Sequence, residues 1–230
     1  MRSEQSKIVV LSGAGISAES GLKTFRDADG LWEGHDVTEV ATPQAFEANP
    51  HLVLDFYNQR RRQLKTVKPN KAHQILAELE AHFDIEIVTQ NVDDLHERAG
   101  SSKVTHLHGE LFKVRPVNNP SRLIEWKDDL QMGDTDDKGN QLRPHVVWFG
   151  EAVPMMQKAI EIVDTADILI VIGTSLQVYP AAGLMDYTRP GTPIYLIDPN
   201  PGINESTNLR IFATSATAGM QKLKSILLKN

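Results

Sequence analysis

The sequence has no cysteine in its 230 residues. That excludes disulfides, thiolate catalysis and any zinc site built on cysteine. No apolar run approaches the roughly 20 residues that span a bilayer, and residues 1–7 are polar, without a signal-peptide core. No membrane partner is expected, and the cytoplasm is the expected location. Basic residues do not gather into blocks apart from Arg60-Arg61-Arg62, and the formal net charge is −6, which argues against a nucleic-acid partner. There is no internal repeat and no low-complexity segment. What is present, 40% hydrophobic and 23% charged residues, is the composition of a soluble globule, long enough for one large domain or a large domain with a smaller one inserted.

The chain is organised around Ile8-Val9-Val10-Leu11, an apolar run that reads as a buried parallel strand. Gly13-Ala14-Gly15 follows, with a helix expected to open near Ser17-Ala18. A helix behind a glycine turn aims N–H groups and a positive dipole end at one spot, which suits a diphosphate. The spacing Gly-x-Gly-x-x-Ala is an accepted form of the dinucleotide fingerprint. A dehydrogenase would also carry an acidic residue about 20 positions on, at the end of a second strand. Instead Gly21 to Trp32, with Phe25 and Arg26, reads as a loop folding over a ligand.

Further on, Thr42-Pro43 and Pro50 read as helix starts. On the second helix, His51 to about Lys65, Val53, Tyr57, Arg60 and Leu64 share one stripe while Arg61 and Arg62 point elsewhere. An inward Arg60 beside Tyr57 suits an anion, whereas an ordinary arginine lays its stem on the core and reaches water. Asn70 is expected to cap a helix through Phe83. The strand Ile85–Thr89 then ends in Gln90-Asn91-Val92-Asp93-Asp94, an amide-and-acid cluster at a strand's carboxyl end, where open α/β sheets bind ligands. One acid of that cluster could instead cap the helix at Leu95. In Val104 to Glu110, His106 and His108 alternate onto one face, which permits a metal pair with Glu110 or one catalytic histidine beside a structural one. Residues 111–144 form a polar excursion expected to be anchored on the large domain by Leu123, Ile124 and Trp126. His145 to Gly150 reads as an apolar strand. Strand–helix alternation then resumes, with Gly173-Thr174-Ser175 and Asp198-Pro199-Asn200 at strand ends.

Six segments in this order resemble the sirtuin family: Gly13 to Trp32, Thr89 to Asp93, His106 to Glu110, His145 to Glu151, Gly173 to Ser175, and Val178 to Gly183. The resemblance covers nearly all of the chain and points to bacterial deacylases that also remove acidic acyl groups. It implies an α/β fold, a Rossmann-like parallel-sheet domain (1–32, 83–110 and 145–230) with a smaller domain formed by two insertions (33–82 and 111–144). NAD would lie between them, held or covered by Gly13, Ala14, Gly15, Phe25, Arg26, Gln90, Asn91, Val92, Asp93, Gly173, Thr174, Ser175, Asn200 and Ala216. Catalysis would fall to His108, Asn91 and Asp93. In the family's reaction the acyl oxygen attacks the nicotinamide ribose and nicotinamide leaves. His108 then serves as the base that turns the resulting alkylimidate into free lysine and O-acyl-ADP-ribose.

The resemblance further implies that Val146, Trp148 and Phe149 line an acyl-lysine tunnel, with Ala41, Tyr57 and Arg60 selecting an acidic acyl group. The peptide backbone would add as a strand between 149–151 and 177–179. Acyl-lysine proteins are the expected partners of a monomeric enzyme. The chain departs from the family in one respect: sirtuins usually carry four zinc-binding cysteines in the second insertion, and this chain carries none, so no metal is expected. ADP-ribosyl transfer and mere NAD sensing are the other functions weighed. The Tyr57–Arg60 pair favours deacylation over the former, and the intact His108 and Asn91–Asp93 cluster disfavours the latter.

Overall fold

A computed structural model describes residues 5–23, 34–174, 176 and 179–229. Phe25, Arg26, Ser175, Gln177 and Val178 lie outside the described residues. In chain order the elements are β1 Lys7–Ser12, α1 Gly15–Ala18, α2 Val37–Val40, α3 Pro43–Ala48, α4 Pro50–Thr66, α5 Lys71–Leu79, β2 Asp84–Thr89, α6 Leu95–Ala99, β3 Val104–His106 and β4 Gly109–Pro116. There follow β5 Ile124–Glu125, β6 Leu142–Val146, α7 Met156–Asp164, β7 Ile168–Ile172, a 3-10 helix Ala181–Tyr187, β8 Ile194–Ile197, β9 Leu209–Phe212 and α8 Ala216–Leu227.

Six strands form a sheet in the order β3-β2-β1-β7-β8-β9, every neighbouring pair parallel. Side chains alternate across β1, so both faces must be covered. Ile8 and Val10 join α5 and α8 in one core, whereas Val9 and Leu11 join α7 and the 3-10 helix in the other. The chain leaves β1 for β2 on one side and reaches β7 on the other, so the carboxyl ends of these three strands bound a crevice at the switch point. β9 is an edge strand that the sequence pattern alone does not mark. α5, expected in the small domain, instead packs Ala72, Ile75, Leu76 and Leu79 into the sheet core.

Local capping matches the sequence. Thr42, Asn49 and Asn70 each accept a backbone N–H at the start of α3, α4 and α5, and Pro43 and Pro50 occupy first-turn positions. α1 is only one turn long, shorter than the helix the glycine turn suggests. Its Ile16 and Ser17 N–H groups close on Gly13 and Ala14 carbonyls, and Gly15 N–H donates to Gly173 O at 2.8 Å. The glycines of the two turns serve each other: a Cβ on Gly13 or Gly15 would fall 2.7 Å from an atom of Gly173 or Thr174. Gly173 has φ +64°, and a Cβ there would stand 2.1 Å from Ile16 N.

Residues 109–146 build a second, antiparallel sheet, β5-β4-β6. Its core is Val114, Leu130 and Leu142 packed on Leu54 of α4, with Ile124 and Trp126 partly buried beside them. This corrects the expected anchors. Leu123 is exposed, and the excursion packs on the helical insertion rather than on the sheet domain. The reason is a polar staple. The buried Asn58 side chain donates to Leu130 O (2.9 Å) and accepts from Leu130 N (2.8 Å). Arg61, also expected elsewhere, is fully buried; its Nε donates to Leu111 O (3.0 Å) and its Nη1 to Asn58 Oδ1 (2.8 Å).

Among the described residues no group of three or more His, Asp or Glu side chains could hold a metal ion. Elemental analysis is expected to find no stoichiometric zinc, and a chelator to leave activity and unfolding midpoint unchanged. Asn58→Ala, in contrast, leaves buried partners unpaired, at a cost of about 1–3 kcal/mol for each. A tightly held zinc whose removal abolishes activity would contradict this.

Candidate active site

The crevice at the sheet's switch point opens into a cleft of about 680 Å³, within the usual size range of ligand pockets. Every described residue among the expected site residues lines it. Gly13, Ala14, Gly15, Gly173 and Thr174 come from the two glycine turns, and Gln90, Asn91, Val92 and Asp93 from the end of β2. His108 follows β3, Asn200 and Ala216 stand at the end of β8 and the start of α8, and Ala41, Tyr57, Arg60, Val146, Trp148 and Phe149 form the other end. Phe25, Arg26 and Ser175, outside the described residues, remain sequence expectations. His145 to Gly150 is not one strand: β6 stops at Val146, where Val147 N donates to His108 O and Phe149 N to Ala41 O.

The amide-and-acid cluster is tied together by its own hydrogen bonds. Ser17 Oγ donates to Asp93 Oδ2 at 3.0 Å, and Asn91 Nδ2 donates to Ser17 Oγ at 3.3 Å. Asp93 Oδ1 also accepts Leu95 N–H at 3.1 Å, so one carboxylate both fixes the turn into α6 and faces the cleft. Burial pushes the Asp93 carboxyl up to about 6.

The two histidines divide their roles by their partners. His106 Nδ1 meets Asn91 O and its Nε2 meets Glu97 Oε1, both at 2.8 Å. Both nitrogens face acceptors, which suits the doubly protonated ring. Burial alone would lower its pKa, but the hydrogen bond and charge of Glu97, with the Asn91 carbonyl and the Glu110 charge, together outweigh this and hold it above the usual histidine value. His108 has one such partner: Nδ1 lies 3.0 Å from Gln90 O, so Nδ1 carries the proton and Nε2 keeps its lone pair. Burial holds its pKa below the usual value. His106 is therefore a charged strut, and His108 a neutral ring able to accept a proton. His106, His108 and Glu110 do not converge into a metal site.

Beneath the cluster, His73 and His96 stack edge to face at 4.9 Å, and His96 Nε2 meets Ser12 Oγ at 2.9 Å. Burial drives His73 down to about 4 and His96 well below its usual value. Below the unfolded value near 6.5 the unfolded chain binds protons that these folded rings refuse, so stability falls as pH falls from about 6.5 to 4. His145, also lowered to about 4, and His108 act the same way. The raised Asp93 takes up a proton on folding below about 6 and offsets part of the loss, whereas the stability contributed by the raised His106 is already complete below about 6.5. The thermal midpoint is expected to drop between pH 7 and pH 5, with a shallower drop in His73→Leu. A midpoint that does not change with pH over that range would refute the assignment.

Sequence reasoning missed several residues in the cleft wall and behind it. Glu19 accepts from Ser215 Oγ (3.1 Å) and Thr217 N (2.8 Å), fixing the first turn of α8 beside the cleft. Leu111 and Leu64 complete the apolar end. Arg143, 6% exposed, backs Trp148. None carries a local motif; they matter through partners distant in sequence.

A model described as the Sir2 family matches residues 13–180. A Helicobacter pylori protein named NAD-dependent protein deacylase is 57% identical over 223 residues, covering 96% of this chain and 97% of that relative. One of the same name from Bacteroides thetaiotaomicron is 52% identical, covering 96% and 97%. Among solved structures, a Sir2 homologue in complex with NAD superposes with TM-score 0.83 at 39% identity, covering 98% of this chain and 91% of that one. A Sir2 complex with a p53 peptide and NAD+ gives 0.80 at 28% identity, covering 99% and 95%. The match spans the first glycine turn, the strand-end cluster and the histidine loop that meet in the cleft, and the chain belongs to the Sir2 family.

Proposed function

We propose that this Sir2-family enzyme, an NAD-dependent protein deacylase, removes acetyl and acidic acyl groups such as succinyl and malonyl from protein lysines. Its products would be nicotinamide, O-acyl-ADP-ribose and free lysine. The single observation that carries this reading is the pairing, in one cleft, of a neutral His108 beside the Gln90–Asp93 cluster with Tyr57 and Arg60 at the apolar end.

The residues present fit NAD. Glycine turns that tolerate close approach, Thr174 and Asn200 as hydrogen-bonding groups, and Ala216 beside α8 line the same cleft. Bound there, NAD supplies a ribose carbon open to attack and nicotinamide as the leaving group. Asn91 and Asp93, braced by Ser17, orient the nicotinamide end, while Gln90 presents its carbonyl to His108 Nδ1 and so fixes the ring. With Nδ1 held by Gln90 O, His108 Nε2 would be the atom that accepts a proton from a ribose hydroxyl. Trp148, Val146 and Ala41 exclude water along the lysine's path. The sheet domain and the small domain of two insertions form the two walls, and the enzyme acts as a monomer in the cytoplasm.

The test is to incubate the protein with NAD and a panel of acyl-lysine peptides and to weigh the products. Acyl-ADP-ribose, with a peptide of unchanged length that has lost only the acyl group, is the expected outcome. A peptide that gains the mass of ADP-ribose would favour ADP-ribosyl transfer instead.

A further inference from the structure

Trp148 is 2% exposed and Tyr57 fully buried, and the indole Nε1–H donates to the Tyr57 hydroxyl at 3.0 Å. A phenol has one hydrogen and two lone pairs, so a fixed donor on one lone pair limits where the hydroxyl hydrogen can point. The indole is itself held from behind. The Arg143 guanidinium lies 3.3 Å from the Trp148 ring centroid, a stacked cation–π contact. Its two Nη atoms reach the two Glu151 carboxylate oxygens at 2.7 and 3.1 Å, a bidentate fork, and Nη2 also donates to Val146 O at 3.0 Å. Glu151 Oε2 closes the ring by accepting Trp148 N–H at 2.8 Å. Arg115 stands opposite Arg143 in the β4–β6 ladder, a like-charge pair that Glu151 bridges by accepting from Arg115 Nη2 at 3.4 Å.

We propose that Arg143 is a positioning residue for acyl-chain selection: clamped by Glu151 and laid on Trp148, it fixes the indole N–H that aims the Tyr57 hydroxyl into the cleft. Arg143 is not among the residues that line the cleft. It acts through two buried side chains. An acyl group with a distal carboxylate uses the aimed hydroxyl. An acetyl group has no acceptor beyond its carbonyl and does not use it. The inference rests on the acidic-acyl reading proposed above, and its effect is therefore selective by acyl group.

The experiment compares wild type, Arg143→Met, Trp148→Phe and the double variant on succinyl- and acetyl-lysine forms of one peptide. Losing one aimed hydrogen bond predicts that Arg143→Met lowers kcat/KM on succinyl-lysine about fivefold to tenfold, mainly through KM. On acetyl-lysine the change stays within about twofold. Trp148→Phe, which removes the N–H but keeps an aromatic face, also touches the lysine's path, so it is read only as the ratio of the two substrates: succinyl-lysine falls relative to acetyl-lysine by the same factor. The double variant loses no more than either single one, because both act on one hydroxyl. Should Arg143→Met fail to fold, Glu151→Gln weakens the same clamp; because Glu151 also lines the cleft, it is read as the succinyl-to-acetyl ratio, which is expected to fall in smaller degree. Equal losses on both substrates, or additive losses in the double variant, overturn the proposal. A wild type without desuccinylation, or an Arg60→Met variant that keeps it in full, defeats the acidic-acyl reading itself. A wild-type desuccinylase that needs Arg60 and ignores Arg143 defeats this inference alone.

Discussion

His108→Ala is expected to lower deacylation by about 10²–10⁴ while leaving NAD binding in place. The Gln90 carbonyl holds the Nδ1 proton, so the lone pair is on Nε2, the nitrogen that must accept a proton. Burial holds the ring's pKa below the ordinary histidine value, which favours the neutral form. The acid limb of the kcat/KM profile is accordingly expected below about pH 6.5, not above it. His106 serves as the control. Both its nitrogens face acceptors, so His106→Asn is expected to loosen the Asn91 loop without removing the proton acceptor. A His108→Ala enzyme that kept more than about a tenth of the wild-type rate would refute the assignment, since even a weak general base is worth more. Loss of NAD binding in the same variant would move His108 from proton transfer to cofactor retention.

The second large effect is on acyl choice. Arg60→Met is expected to lower kcat/KM on succinyl-lysine roughly tenfold to hundredfold, with much less change on acetyl-lysine. A charge-assisted hydrogen bond to a carboxylate contributes about 1.5–3 kcal/mol, which sets that range. Arg60 and Tyr57 are three residues apart on α4 and line the same end of the cleft. The Arg60 guanidinium lies 4.7 Å from the Phe56 ring centroid, and methionine preserves much of that packing, so the loss reports the charge. Ala41, a small residue, lines the same cleft. Parallel assays of the two acyl-lysines decide the matter. Equal losses on both, or no desuccinylation by wild type, would leave a plain deacetylase.

Much of the site was legible because its parts are local. Four apolar residues before a glycine turn mark β1, the amide-and-acid run marks the end of β2, and the alternation of His106 and His108 marks the loop after β3. Capping followed equally local rules at Thr42, Asn49 and Asn70. The misreadings share a different character. Arg61 is four residues from Tyr57 on α4 and is drawn inward by Leu111 O, a partner 50 residues away. Leu123 looked like an anchor by hydrophobicity, yet it is 45% exposed because Val114, Leu130 and Leu142 take the face presented by Leu54.

By itself the sequence determined the absence of thiolate zinc, the parallel α/β class and the residues that gather at the strand ends. Those features depend on composition, side-chain period and turn chemistry over a few residues. Tertiary structure alone decided the different partners of the two histidines: Glu97 reaches His106 across nine residues, whereas among the described residues His108 meets the Gln90 carbonyl. It also decided that Asn58 and Arg61 staple the second insertion, and that Arg143 sits behind Trp148. A side chain's charge state and role are set by the groups packed around it once distant segments meet, and local spacing does not specify those neighbours.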